Sequence, residues 1–581
     1  MSSLAAEREN YAAFFRDTVD ALRHGDMLTL LSPTRMFRLF FNTVYILSQL
    51  VIIWLFKPPP PPRHKKIAYR GRIAVIGAGL TGVSTAAHAV AHGFDVVLYE
   101  QGDRIGGIWA HVNASSGLQL NSLLYRFHPA VLWSRAFPKR DEILSEITRV
   151  WREYDLERHT RLSTPVTSVR RAKPQELDDV GEGHGLWVIN DDVEGGGVFD
   201  TVVVTVGTCG KPRWIGNSSG TSQEETFAGL VLHSSEMDDA PLEGKRVIVI
   251  GSGASGVEAV EAAIKRGAKT TDGGVVMIAR NDKWIIPRNI VMDTLISAQP
   301  FGREMPLRWV IVWEKIITAW NYHGVEDLTP ARLGLFEGTP VVNDEFLGHV
   351  RRGRCSYVRG DPQQLTSGGV RVNVRRRASK PGDEGEEKEF SADVIVLATG
   401  FQKPEIGFLP DDLFPEGYER PNLYLQNFST EDWSVLMTNS SYTNAIDIAR
   451  ITGLFKLDTR MLLTFLMDKN ARPIPKDMKL WVDVLRFVKR GARGGALGFF
   501  TYMELTIWLL LFHVFRLDRL KWLFFIMQGW GVRPKVVGDA DAEADNKPLG
   551  ARERNEVEGD SGKKASPITP GGNVNGWVRG D

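Results

Sequence analysis

Two segments of this chain combine a short β-type run, a glycine-rich turn and the start of a helix, which restricts the fold more than any other feature. The first, RIAVIGAGLTG (residues 72–82), has the pattern GxGxxG at Gly77, Gly79 and Gly82. The first glycine permits the tight turn, the second lets the backbone approach a pyrophosphate, and the third allows close helix–strand packing. The next β run ends in Glu100, where a carboxylate accepts hydrogen bonds from ribose hydroxyls. Strand, helix and acid together favour a dinucleotide site over a structural glycine turn.

The second unit is KRVIVIGSGASG (residues 245–256), and its following β run ends differently. That run ends at Arg280, where a carboxylate would repel a 2′-phosphate and a guanidinium would pair with it. An ordinary surface arginine is the alternative. The two units therefore predict FAD in the first site and NADPH in the second. The residues predicted to bind the second nucleotide are Gly251, Ser252, Gly253, Gly256 and Arg280.

Two further β runs end in small residues, and they suggest how the two units are connected. DVIVLATGF (residues 393–401) ends at Thr399 and Gly400, and TVVVTVGTCGKP (residues 201–212) has the same shape. We interpret both as passages between two nucleotide domains, with the NADP domain inserted into the FAD domain. The predicted fold is α/β, with two Rossmann-like dinucleotide-binding domains and an N-terminal membrane helix.

The predicted domain organisation follows from these motifs and from shifts in composition along the chain. It comprises an amphipathic segment (1–35), a transmembrane anchor (36–56), a proline-rich linker (57–70), an FAD-binding domain in two parts (71–212 and 391–490), an NADP-binding domain (213–390), an apolar helical region (491–533) and a disordered tail (534–581).

Charge and cysteine content exclude several classes of protein. The net charge of +1, from 71 Lys+Arg against 70 Asp+Glu, gives no electrostatic footprint for nucleic acid. The only cysteines, Cys209 and Cys355, form no CxxC pair, which argues against a zinc ribbon or a redox dithiol. His88 and His92 are four residues apart on one predicted helix, but no third ligand is evident nearby. No metal site is expected.

The charge-free run LFFNTVYILSQLVIIWLF (residues 39–56) is the basis for the predicted anchor. At 1.5 Å per residue it reaches roughly 27 Å, just enough to cross a bilayer core. An interfacial helix and a buried helix are the alternatives. More basic residues follow the run than precede it, which predicts a cytoplasmic catalytic part, with Pro58 to Pro62 as a stiff spacer. A second apolar stretch, residues 496–515, is interrupted by Glu504 and His513 and either contacts the membrane or packs on the body.

These motifs resemble those of the class B flavoprotein monooxygenases, the flavin-containing monooxygenase family with its Baeyer–Villiger relatives. The resemblance covers about residues 70 to 460. It rests on Gly106-Gly107-x-Trp109, on LQLNSLLYRF (residues 118–127), and on Phe227-x-Gly229-x-x-x-His233. Met237 departs from the family pattern, since Baeyer–Villiger enzymes usually have Trp there and flavin-containing monooxygenases an aromatic residue. The type of oxygen transfer therefore stays open.

The resemblance implies an NADPH- and O2-dependent FAD monooxygenase that acts on a lipophilic small molecule through a C4a-(hydro)peroxyflavin, in secondary metabolism. It also implies that Asn121 is the catalytic amide near the flavin, that Gly107 binds the cofactor, and that Trp109 packs beside the isoalloxazine; a loop-capping asparagine is the alternative for Asn121. Baeyer–Villiger insertion into a ketone remains open. A membrane-tethered scaffold that binds nucleotides without turnover is the alternative of another class.

Overall fold

A computed structural model describes residues 33–119, 121–122, 126–176, 186–215, 226–271, 273–288, 307–335, 340–438, 457–490, 504 and 507–537. The helices in these ranges are α1 (Pro33–Phe56), α2 (Leu80–Ala91), α3 (Arg140–Glu153), α4 (Ala254–Lys265), α5 (Leu307–Asn321), α6 (Phe346–Arg351), α7 (Leu457–Met467), α8 (Pro475–Lys489), α9 (residues 507–514) and α10 (Leu523–Gln528). The strands are β1 (Ile67–Ala68), β2 (Arg72–Ile76), β3 (Asp95–Tyr99), β4 (Thr160–Arg161), β5 (Val169–Arg171), β6 (Trp187–Ile189), β7 (Val198–Phe199), β8 (Thr201–Val204), β9 (Leu230–His233), β10 (Val247–Ile250), β11 (Val275–Ala279), β12 (Ile285–Ile286), β13 (Val341–Val342), β14 (Ser356–Thr366), β15 (Gly369–Val374), β16 (Glu386–Ser391), β17 (Val394–Leu397), β18 (Val435–Leu436) and β19 (Lys535–Val536).

The first glycine motif lies in a five-stranded parallel sheet with the order β18-β8-β2-β3-β4. Its central strands consist almost wholly of buried apolar residues, as expected for a parallel sheet covered on both faces. Every residue of α2 is buried, because its small side chains let it pack closely between the sheet and helices α3 and α7. A small antiparallel sheet, β5-β6-β7, adjoins the first sheet.

The second glycine motif lies in a seven-stranded sheet with the order β16-β15-β14-β11-β10-β17-β9. Strands β14, β11, β10, β17 and β9 pair in parallel, and β15 and β16 extend the sheet as antiparallel strands. The motif strand β10 is central, between β11 and β17. Two separate sheets with parallel central strands, each with its own glycine motif, confirm the predicted α/β class with two Rossmann-like units.

The N-terminal helix α1 packs on the first unit. Gln49 is fully buried: its side-chain amide donates to the Trp133 carbonyl at 2.9 Å, and its oxygen accepts from the Trp133 N–H at 2.8 Å and from Arg126 at 2.9 Å. The Tyr45 hydroxyl is likewise buried and donates to the Arg135 carbonyl at 3.0 Å. One face of the helix is thus hydrogen-bonded to the body.

No helix among the described residues is long and apolar enough to cross a bilayer, so the predicted transmembrane anchor at 36–56 is not supported. The physical reason is that Tyr45 and Gln49 use their polar groups within the protein. The proline-rich linker does not stand away from the body either. Pro58 is buried, and its carbonyl accepts a hydrogen bond from Tyr154.

The C-terminal helices also pack on the first unit. Glu504 and His513, which interrupt the apolar stretch 496–515, are both buried against the protein. The chain then returns past α2, where Val532 accepts a hydrogen bond from His92 at 3.0 Å, to strand β19, which pairs with β1. The described chain therefore continues into the first residues of the predicted tail. The predicted amphipathic segment up to residue 32 and the tail from residue 538 onward lie outside the described residues.

Candidate active site

The first glycine turn is built so that two of its glycines are required by the protein itself. Gly77 has φ +104°, and a Cβ there would lie 2.8 Å from the Thr205 carbonyl. At Gly82 a Cβ would lie 1.8 Å from the Gly77 carbonyl. The Thr205 hydroxyl donates to the Ile76 and Gly77 carbonyls at 2.8 Å, which fixes the turn against β8. Helix α2 can start this close to β2 only because these side chains are absent.

Gly79 differs from the other two glycines because a side chain on it would point toward a second glycine loop, at Gly107, and not into its own turn. A Cβ on Gly79 would meet the Gly107 Cα at 3.5 Å, an ordinary contact distance. The adjacent Gly106 N–H donates to the Ala78 carbonyl at 2.9 Å. No side chain caps the start of α2, so its first N–H groups face this space as a phosphate would require. The loop 106–107 and the turn together form a backbone cradle that fits a pyrophosphate.

Glu100 lies at the end of β3, directly beside the turn. Its carboxylate accepts from the Ala78 N–H at 2.7 Å and from the Gly102 N–H at 2.9 Å. Each oxygen of a carboxylate has a second lone pair. The position therefore fits the predicted acceptor of ribose hydroxyls.

Trp109 and Asn121 follow along the same segment. Trp109 lies in a 3-10 helix (Gly107–Ala110). It is partly buried and packs against the hydrophobic core of the first unit. Asn121 is buried with 1% of its surface exposed, and its neighbour Ser122 bonds to the Tyr45 hydroxyl of α1 and to the Arg135 carbonyl. The predicted catalytic amide thus lies in a segment that the N-terminal helix holds in place.

The second glycine turn repeats the first. A Cβ on Gly251 would lie 2.3 Å from the Ala398 carbonyl, and one on Gly256 would lie 2.0 Å from the Gly251 carbonyl. Gly253 precedes α4 with no atom within 4 Å of its Cβ position, and no side chain caps that helix. The Ser252 hydroxyl donates to the Asn281 carbonyl at 2.6 Å, which ties the turn to the residue after Arg280. The turn fits a second pyrophosphate.

Arg280 extends from the end of β11 with 70% of its side chain exposed. The nearest carboxylate, Asp361, lies 3.5 Å from its Nε, but Asp361 is held at 2.8 Å by the buried Arg375. Asp361 is therefore paired more closely with Arg375 than with Arg280. The exposed Arg280 guanidinium can bind a phosphate at the edge of the second site.

Thr399 and Gly400 lie after β17, at the carboxyl end of the second sheet rather than beside Glu100. The Thr399 hydroxyl donates to the Arg213 carbonyl, and the Gly400 carbonyl accepts from the Arg213 N–H at 3.0 Å. His233 completes the group through its Nε2, 3.1 Å from the Gly400 carbonyl, and burial lowers its pKa. These residues thus connect the end of the segment 201–212 with the segment 393–401, next to the Gly251 turn. The sequence also predicts that Thr399 and Gly400 bind a cofactor, and this stays a prediction.

Two polar contacts between the units were not predicted from the sequence. Glu258, on α4, accepts a hydrogen bond from the Gln119 amide at 2.9 Å, and Gln119 also accepts from the Val342 N–H at 2.9 Å. Asn113 donates to the Ser234 carbonyl and accepts from the Met237 N–H at 3.0 Å. Gln119 stands two residues before Asn121, and Glu258 two after Gly256. An acid on the buried helix of a dinucleotide motif was the signal that could have revealed this contact.

The chain was compared with known proteins and structures. A family model described as flavin-binding monooxygenase-like matches residues 70–431. Rat dimethylaniline monooxygenase (N-oxide-forming) 2 is 25% identical over 61% of this chain and 66% of its own length. A Baeyer–Villiger monooxygenase of Streptomyces coelicolor is 25% identical over 58% of this chain and 66% of its own length. The chain thus spans less than two thirds of either relative.

Among solved structures, a crystal structure of OTEMO in complex with FAD and NADP superposes with a TM-score of 0.54. The superposition covers 75% of this chain and 93% of the OTEMO chain, at 18% sequence identity. At that identity the likeness supports the fold alone. The fold and the two glycine turns define a two-dinucleotide flavoprotein. The family match extends over more than half of the sequence, and the chain belongs to the flavin-binding monooxygenase-like family. The predicted membership of the class B flavoprotein monooxygenases is confirmed.

Proposed function

We propose that this protein is an NADPH- and O2-dependent FAD monooxygenase that inserts one oxygen atom into a lipophilic small molecule. The observation that carries the proposal is the course of residues 106–119. Gly107 contacts the first glycine turn, and Gln119 bonds Glu258 on the helix that starts at the second turn. One segment therefore lies against both dinucleotide sites, as hydride transfer between two bound cofactors requires.

Each cofactor has its own set of binding residues. FAD would be held by the turn Gly77–Gly82, by Glu100 at the ribose, and by the Gly106–Gly107 loop. NADPH would be held by the turn Gly251–Gly256 and by Arg280 at the 2′-phosphate. When bound, the flavin supplies the electron transfer from NADPH and the transfer of oxygen to the substrate.

The residues of the chain position and protect that chemistry. Asn121 would donate its amide N–H to the oxygen species at the flavin without changing charge. Trp109 would limit water at the ring by packing beside it. His233, fixed between Ser235 at 2.7 Å and Gly400, orients the passage into the second unit.

The proposal is tested with the purified protein in three measurements. Its absorption spectrum should show bound flavin, and NADPH added without oxygen should bleach it. Products formed under 18O2 from a panel of ketones, sulfides and aromatic compounds should gain one labelled oxygen atom. If NADPH bleaches the flavin but no labelled product forms, the protein acts as an NADPH oxidase, and the proposal is overturned. A folded protein that takes up no flavin would favour the scaffold.

Baeyer–Villiger oxidation is the second candidate reaction. Its support is that the curated relatives include a Baeyer–Villiger enzyme as well as an N-oxide-forming one, at the same 25% identity. The same panel separates the two, because a ketone would yield a labelled ester or lactone, whereas an amine or sulfide would yield an oxide.

The proposed location is a membrane, with the catalytic body on the cytoplasmic side. The support is the basic segment of residues 57–70, which has five Lys and Arg and no acidic residue, because anionic lipids of the cytoplasmic leaflet attract Lys and Arg. Fractionation of cells that express the full chain tests this location. Recovery of the enzyme in the soluble fraction alone would contradict it.

A further inference from the structure

Helix α1 presents apolar side chains to solvent and turns polar ones toward the protein. Tyr45 and Gln49 are buried and bonded to the body, whereas Trp54 exposes 81% of its surface. The exposed large apolar residues of the helix are Phe40, Val44, Leu47, Leu50, Val51 and Trp54. A surface helix of a water-soluble protein ordinarily has the opposite orientation.

The C-terminal helix α9 has the same inverted orientation. His513 is buried on its inner side, and Glu504, just before it, is buried and accepts from the Trp481 indole at 3.2 Å. The outward residues of α9 are again apolar (Ile507, Leu510, Leu511 and Val514), and the exposed Phe515 and Leu517 follow directly after it. Both helices thus bury some of their polar groups and expose a row of apolar side chains.

Trp530 connects α1 with α10, the helix that follows α9 in the chain. Its indole N–H donates to the Leu55 carbonyl of α1 at 3.1 Å, and its ring stacks on Phe524 of α10 at 6.4 Å between centroids. Phe524 and Trp530 are themselves about half exposed. We call the outward residues of α1 and α9, with Phe524 and Trp530, the apolar face.

A cluster of basic residues adjoins Trp530 and the end of α1. Strands β1 and β19 pair, with Ile67 opposite Val536, and this ribbon brings together exposed basic side chains from both ends of the chain. They are Arg63, Lys65, Lys66, Arg533 and Lys535. Neither residues 57–70 nor residues 529–537 contain an acidic residue. We call this the basic ribbon.

We propose that the apolar face rests on the surface of an anionic lipid bilayer, embedded at the level of the headgroups without crossing it. Exposed Trp54 and Trp530 fit the membrane interface. There an indole ring can contact the lipid chains while its N–H keeps a hydrogen-bond partner. The basic ribbon fits the negative surface potential of such a membrane. A second copy of the chain fits less well, because a two-fold contact would bring basic ribbons of like charge toward each other. This proposal concerns binding alone and is independent of the reaction.

The test is co-sedimentation of the full-length holoenzyme with vesicles of phosphatidylcholine, with and without phosphatidylserine. The protein should bind the mixed vesicles more tightly. Lys65→Glu with Lys66→Glu should weaken that binding about tenfold or more, and leave binding to phosphatidylcholine nearly unchanged. Trp54→Ser should weaken binding to both vesicles about tenfold. The matched controls are Trp320→Ser, at an exposed tryptophan of α5, and Lys380→Glu with Lys388→Glu, and neither should have an effect.

Three results would overturn the proposal. The first is absence of binding to either vesicle by protein with bound flavin. The second is equal weakening by the control variants. The third is self-association of the full chain in buffer that Trp54→Ser abolishes, which would make the apolar face an interface between copies. Thermal unfolding of each variant, which should match the parent since the substituted side chains are exposed, separates lost binding from lost folding.

Discussion

Glu258, on the first helix of the second unit, accepts a hydrogen bond of 2.9 Å from Gln119, which belongs to the segment of the first unit that leads to Asn121. Arg288 lies 3.8 Å from the same carboxylate, and Ser116, Gly117 and the nearby Glu261 also act on it. Burial is the largest influence and raises the pKa of Glu258 to about 7. Burial therefore favours the protonated form of Glu258 in the folded protein, although the surrounding donors and Arg288 partly offset that preference.

This carboxyl group should make stability depend on pH. The unfolded chain releases the proton near pH 4.5 and the folded chain only near pH 7, so the folded state binds more protons between these values. The free energy of unfolding should fall as the pH rises from 5 to 8, by about 3 kcal/mol at most from this group. Urea unfolding at both pH values should show that fall in the parent and a smaller one in Glu258→Gln. Glu243→Gln, at an exposed position, should keep the parent's dependence.

The glycines of the first turn should respond differently to alanine. Gly82→Ala places a Cβ 1.8 Å from a carbonyl oxygen and should prevent stable folding of the unit. Gly79→Ala meets only ordinary contacts and should fold, but the methyl group would occupy the pyrophosphate space, so flavin should be lost. Circular dichroism and the flavin-to-protein absorbance ratio distinguish the two. Full flavin in folded Gly79→Ala would show that the pyrophosphate lies elsewhere.

Arg280 should determine the choice of nicotinamide cofactor. Loss of a charge-assisted contact, about 1.5–3 kcal/mol, should reduce the preference of Arg280→Ala for NADPH over NADH tenfold or more. The ratio of kcat/KM for the two cofactors measures this preference. Arg371→Ala, at an exposed arginine on the same sheet, serves as the control and should keep the parent's ratio. Equal use of both cofactors by the parent would contradict the assignment.

The sequence predicted the parts of the fold and site that depend on local rules. The Gly77 and Gly251 turns, their strands and Glu100 follow from backbone sterics over a few residues, so their positions could be read directly. Contacts between distant residues could not. The pairing of Glu258 with Gln119 and the burial of Gln49 against Trp133 depend on how the units pack, which hydrophobic periodicity does not encode. The apolar run 39–56 suggested a membrane span by its lack of charge, and the burial of Tyr45 and Gln49 against the body could not be predicted from that composition.

Asn121 should control the fate of the reduced oxygen. Asn121→Ala should keep flavin and remain reducible by NADPH, yet release H2O2 in place of product, because its amide is the donor proposed at the flavin. The measurement is the ratio of H2O2 to NADPH consumed. Asn470→Ala, at an exposed asparagine, is the control. Coupling as tight as in the parent would assign Asn121 a structural role only.

Gln49 should contribute to the stability of the catalytic body itself. Its oxygen accepts from Arg126, a fully buried guanidinium whose pKa burial lowers to about 10. Gln49→Ala would remove that acceptor and the partner of the Trp133 backbone, at a cost of roughly 2–3 kcal/mol for a buried charged donor. The melting temperature should drop, and flavin should dissociate at a lower temperature, since α1 supports the segment of Asn121. Leu47→Ala, at an exposed position on the same helix, should melt like the parent. An unchanged melting temperature in Gln49→Ala would mean that α1 is dispensable for the body and that its packing adds no stability.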